Sequence, residues 1–142
     1  MTAYCFDTDV ISATIKPAPP LHLIRRLATV PAADQFTTSI TVAELIYGAR
    51  RVGREALTAR VEAVVRGAQE VLPFDTVAAR RFGELKAELE RRGEPLAEPD
   101  LRIAAIAAAR GLTLITRNVR HFRRVPGLVV ENWIDDEPGV ER

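Results

Sequence analysis

Three carboxylates stand where they could share one task. Asp7 directly follows the apolar run 3–6, Glu44 falls in the first turn of the helical pattern 41–51, and Asp100 opens an alanine-rich helical pattern, 100–110. A fourth polar group, Asn118, comes with Thr116 and Arg117 right after the branched run 112–115. In an open parallel sheet the carboxyl ends of the strands and the starts of the following helices share one edge, and ligands bind there. Carboxylates gathered at such an edge repel one another unless their pKa values rise or a divalent cation lies between them. Oxygen-only ligation suits Mg²⁺ or Mn²⁺, and an ion so held acidifies water and neutralises charge in phosphodiester hydrolysis. Neither histidine, His22 or His121, is placed for a zinc site. Each acid also has a plain structural use. Thr8 or Asp9 could cap the first helix, Thr41 and Glu44 match a capping box, and Asp100 after Pro99 is an ordinary first-turn acid favoured by the helix dipole.

The elements that must position these groups alternate along the chain. The run 3–6 reads as a buried strand, and 10–15 as a helix stopped by Pro17, Pro19 and Pro20. Apolar residues of 21–27 recur at helical spacing. A strand follows at 35–38, helices at 41–51 and 55–66, and a strand at 70–72. Asp75 reads as the cap of a long helix closed by Gly93. A polar loop, 94–99, leads to the helix 100–110, then a strand at 112–115, a helical turn at 121–124 and a last strand at 128–130. Strands separated by helices imply an α/β fold, a central parallel sheet of four to five strands flanked by helices.

The bulk properties agree. A chain of 142 residues with 47% hydrophobic and 27% charged residues suits one soluble domain with its own core. We expect a domain over 1–134 and a polar tail over 135–142. The lone Cys5 cannot form an internal bridge, which points to a reducing cytoplasm. No window is long and apolar enough to span a membrane. The net charge of +1 names no polyanionic partner, although 18 of the 20 basic residues are arginine, which grips phosphate in two-pronged fashion. A GC-rich genome would leave the same mark.

The residues match a known family in order. Cys5-Phe6-Asp7-Thr8-Asp9-Val10-Ile11-Ser12 resembles the opening of PIN domains, an apolar strand followed by D-T-N or D-T-S. Thr38-Ser39-Ile40-Thr41-Val42-Ala43-Glu44-Leu45-Ile46-Tyr47-Gly48 resembles their second motif, and Pro99-Asp100-Leu101-Arg102-Ile103-Ala104-Ala105 their third. Leu114-Ile115-Thr116-Arg117-Asn118 with Phe122 resembles the fourth, and Val125-Pro126-Gly127-Leu128 the usual tail. The set is most similar to the VapC toxins of type II toxin–antitoxin pairs. The resemblance implies a Mg²⁺- or Mn²⁺-dependent endoribonuclease, with Asp7, Glu44 and Asp100 as metal ligands and Asn118 in the fourth catalytic position. Thr8, Asp9 and Thr116 would support those ligands, and Arg117 and Arg120 would steady the RNA phosphate. It further implies a VapB-like antitoxin whose C-terminal segment blocks the acidic groove, and a homodimer that joins it in a heterotetramer or larger assembly. The sequence departs from the pattern at Asn118, where an acid is frequent, and at His121, where a further acid is common. A catalytically weak member acting as a protein-binding module is therefore the alternative. A haloacid-dehalogenase-like phosphatase would use the same Asp7-Thr8-Asp9 opening with Asp7 as nucleophile, but it lacks a suitable lysine and a late acidic pair.

Overall fold

In the computed structural model, residues 2–67 and 70–135 are described. Five parallel strands form one sheet in the order β3-β2-β1-β4-β5, with β1 Tyr4–Phe6, β2 Gln35–Thr38, β3 Val71–Leu72, β4 Thr113–Ile115 and β5 Val130–Glu131. The helices are α1 Thr8–Ile15, α2 Leu21–Ala28, α3 Ser39–Val52, α4 Glu55–Gly67, α5 Thr76–Arg91, α6 Glu98–Ala109 and the short α7 Val119–Phe122, with a 3₁₀ turn at Ala32–Asp34.

Parallel strands need helical crossovers and are covered on both faces, so their residues alternate between two apolar layers. Cys5 pairs with Leu114, and both enter the core beneath α5 and α6, with Leu85, Leu89, Leu101 and Ala104. Phe6 pairs with Ile115, and both face the other way, onto Val10, Ala13, Leu23 and Trp133. Helix α6 is fully buried from Ile103 to Ala107. Its alanines let it lie close to the sheet, as small side chains permit.

Two chain reversals after helices use glycine, the expected Gly93 among them. Gly93 (φ +68°) follows α5 and Gly111 (φ +66°) follows α6, in the left-handed conformation that glycine adopts without strain. Several element limits differ from the sequence expectation. Helix α6 begins inside the expected loop 94–99, because Glu98 and Pro99 suit its first turn. The last strand lies at Val130–Glu131, later than 128–130, because its register is set by pairing with Leu114 and Ile115. Of the expected tail, residues 136–142 lie outside the described residues. Asp135 ends the described chain, held by Asn132 and ion-paired with Arg117 at 3.4 Å. On the surface, Leu21 and Ile24 are exposed on α2 and Tyr47 on α3. Among the described residues, no helix is long and apolar enough to cross a membrane.

Candidate active site

The strand order reverses around β1: the chain first builds β2 and β3 on one side, then returns to place β4 and β5 on the other. The carboxyl ends of β1 and β4 therefore flank a switch point, the place where open α/β sheets bind ligands. The ladder runs to the edge of the site, since the Asp7 amide still donates to the Ile115 carbonyl at 2.9 Å.

Asp7 is buried (6% exposed) and caps α1 itself, so the cap is neither Thr8 nor Asp9. Its Oδ1 accepts the Thr8 amide at 2.8 Å, and its Oδ2 accepts the Thr116 hydroxyl at 2.7 Å. The fully buried Thr116 oxygen also accepts the Asn118 amide at 3.0 Å, which fixes the turn after β4. Burial, then the neighbouring Asp9 charge, pushes the Asp7 carboxyl up to about 7 against the lowering effect of its hydrogen bonds, with Asp100 adding further repulsion.

Glu44 is not part of a capping box. Helix α3 starts earlier than expected, and its cap is Thr38, whose hydroxyl accepts the Thr41 amide at 3.1 Å. Glu44 therefore sits in the second turn and is free to reach across to α1, where its Oε1 accepts the Thr8 hydroxyl at 2.6 Å. The Thr41 hydroxyl lies 3.2 Å from that of Thr8 and 3.3 Å from that of Thr38. Three hydroxyls thus tie two chain segments to one carboxylate. This relay was missed in the sequence, although threonines at 38 and 41, three apart before Glu44, were its visible trace.

Asp100 lies in the first turn of α6, half-buried. Burial raises its pKa first, then the charges of Glu44 and Asp9, while His121 opposes them. Asp9 is likewise raised by burial, held in check mainly by the Arg117 amide, which donates to its Oδ2 at 3.2 Å. Asp9 Oδ1 is buried with no hydrogen-bond partner among the described residues. These mutual effects place Asp7, Asp9, Glu44 and Asp100 within electrostatic reach of one another.

The remaining candidates divide. The Asn118 side chain contacts the His121 ring through Oδ1 and Nδ1. Arg117 contributes its amide to Asp9, while its guanidinium pairs with Asp135. Arg120 is exposed on α7. Glu98 is exposed and paired with Arg102 at 3.2 Å, on the outside of α6. Cys5, fully buried, has its thiol pushed up to about 12 and is inert at the foot of the site.

The donor set has the chemistry of a hard-cation site: carboxylate and hydroxyl oxygens, carboxyls held above their usual range by burial and mutual repulsion, and an unpartnered buried oxygen on Asp9. Among the described residues, no three acidic, histidine or cysteine side chains are gathered closely enough to grip one ion together. The fit is one of donor chemistry at a shared edge, not of a preformed cage.

The PIN domain family model matches residues 4–128, from the first strand through the turn after α7. The chain belongs to the PIN-domain family. Within it, the chain is 39% identical over 134 residues to a tRNA(fMet)-specific endonuclease VapC of Salmonella typhimurium, covering 94% of this chain and 99% of that protein. It is 36% identical over 134 residues to a ribonuclease VapC2 of Haemophilus influenzae, covering 94% of this chain and all of that protein. A crystal structure of DNA-bound VapBC from Salmonella typhimurium superposes with a TM-score of 0.80 at 40% identity, covering 94% of this chain and 99% of that one. Membership places the chain in the VapC branch of the PIN domains and sets the phosphatase alternative aside, in keeping with Lys86, the only lysine after Lys16, being exposed on α5.

Proposed function

We propose that this chain is the toxin of a VapBC-type pair, a cytoplasmic endoribonuclease that depends on Mg²⁺ or Mn²⁺. The observation that carries the reading is the convergence of Asp7, Glu44 and Asp100 from three distant segments at the switch point, two of them pinned by the same threonine, Thr8. A structural role explains one helix-terminal acid at a time. It does not explain why Glu44 leaves its own helix end to reach another.

Asp7, Glu44 and Asp100 would hold the ion by drawing together around it as it binds, with Asp9 beside them. When bound, it supplies a more acidic water and neutralises the charge that builds on the phosphate. The protein's part is positioning and proton handling. Thr116 and the Thr8 amide fix both oxygens of Asp7, so its lone pairs keep one direction. Thr8 does the same for Glu44. Asp100, whose carboxyl is raised by burial and by the charges of Glu44 and Asp9, would be the group placed to accept a proton from the attacking water. Asn118 and His121, in contact at the mouth, would orient that water or the phosphate. Arg120, exposed beside them, is the candidate cation for the RNA backbone, because the guanidinium of Arg117 is engaged by Asp135.

The antitoxin expected as partner would place its C-terminal segment in the acidic groove, where a basic side chain can replace the charge of the ion. The test is cleavage of a mixed single-stranded RNA panel with Mg²⁺ or Mn²⁺, with chelator, and by Asp7→Asn. Cutting that needs metal and vanishes in the variant supports the reading. Full activity of a folded Asp7→Asn protein sinks it, and no cutting by the metal-loaded wild type favours a binding role.

A further inference from the structure

A cavity of about 340 Å³ opens beside the acids, between α1, α3 and α4. Thr8 and Glu44 are among its lining residues, so it adjoins the acids. Its walls are apolar, made by Ile15, Pro17, Leu45, Leu57 and Val61. Lys16, Arg54 and Arg60 also line it, and none of the three side chains makes an ion pair or hydrogen bond with another described residue. Three uncommitted cations thus face one acid, Glu44, which is already bonded to Thr8.

Gly48 offers a way to close the same space. It lies inside α3, where glycine is among the weakest helix formers. Its φ is not positive, and a Cβ built on it would meet nothing within 4 Å. Gly83 of α5 is equally open, so openness alone marks no site. Gly48, however, lies on the wall of this cavity, where a larger side chain would take up its space.

Resting on the ribonuclease reading above, we propose that this cavity seats one nucleotide of the RNA next to the cleaved bond. The base lies on the wall formed by Ile15, Pro17 and Leu57, and its phosphate meets Lys16, Arg54 and Arg60. The charge decides for RNA over an apolar protein side chain: an anion is what three unpaired cations and an apolar wall together recognise. The cavity lies within the size range of small-ligand pockets.

Two variants test this with a short labelled single-stranded RNA, bound to the full chain in chelator so that nothing is cut. Gly48→Leu fills the cavity and improves the helix, so the protein stays at least as stable as wild type. Mn²⁺ titration checks that the acids are undisturbed. We expect RNA affinity to fall about 10-fold in Gly48→Leu, the order of a misfit in an apolar pocket. In Arg54→Ala/Arg60→Ala it falls similarly, with a salt dependence shallower by about one, as for one or two lost phosphate contacts to a single strand. Unchanged RNA binding and cleavage in both variants overturns the proposal while leaving the ribonuclease standing. A Gly48→Leu protein that keeps its RNA affinity but loses a bound antitoxin C-terminal peptide assigns the cavity to the protein partner and also overturns it. A wild type that neither binds nor cuts any RNA removes the ribonuclease reading, and this inference with it.

Discussion

At the scale of single residues, the carboxyl of Asp7 carries the sharpest consequence. Its pKa of about 7 lies well above the ordinary 3.8, chiefly because burial penalises its charge. The folded protein therefore holds a proton that the unfolded chain releases. The native state binds more protons across that interval, so stability of the metal-free protein falls as pH rises from about 4 through about 7. Asp9 and Asp100 are raised too and act in the same direction. Urea midpoints measured in chelator at pH 5 and pH 8 should show the loss, and Mn²⁺ should restore much of it at pH 8. Asp7→Asn should flatten the pH dependence and stabilise the chelated protein at pH 8 by roughly 1–3 kcal/mol, as the removed charge is a costly one, while ending cleavage. A flat wild-type profile would show that Asp7 is not strained as the geometry implies. The acids of this site were legible as residue types placed just after a strand or near a helix start. The threonine relay was not, because Thr8 and Thr41 meet only through tertiary packing across 33 positions.

At the scale of elements, helix starts decide which way the acids point. Three hydroxyls in the run 38–41 compete to begin α3, and local pattern favours Thr41 because Glu44 follows it at capping-box spacing. The structure starts the helix at Ser39 with Thr38 as cap, since β2 runs directly into it. That shift of three positions moves Glu44 from self-capping to facing α1. Thr38→Ala should cost about 1 kcal/mol through the lost cap, read as a lower urea midpoint. It should also weaken Mn²⁺ affinity several-fold, because Thr41 loses one of the two hydroxyls that anchor it beside Thr8. Loss of stability with unchanged metal affinity would confine Thr38 to capping. The alternation of strands and helices was readable throughout, since periodicity and the punctuating glycines are local signals. The limits of β3 and β5, two residues each, were not, because their register comes from neighbouring strands.

At the scale of the whole molecule, the site is only as firm as the sheet edge that assembles it, and the last described segment bears on that edge from behind. The family match ends at residue 128, yet the core does not. Trp133 is 1% exposed and packs edge-on against Tyr4 and Phe6 of β1, with ring centroids 4.8 and 5.6 Å away. The Arg26 guanidinium lies 4.5 Å above its ring, and its Nε1 donates to Glu131 at 2.9 Å, which joins α2 and β5 to the central strand. Phe6 immediately precedes Asp7, so this packing backs the edge that carries the acids. These contacts carry the core to Ile134, beyond the end of the family match. Trp133→Ala should cost about 3–5 kcal/mol, as for other buried tryptophans, a large part of the total stability of a domain this size. The expected readout is a fall of roughly 10 °C or more in Tm, with metal-dependent cleavage surviving at low temperature in the fraction that stays folded. A change below about 1 kcal/mol would be too small for a buried tryptophan and would mean that residues after 128 are an appendage and that the domain closes without them.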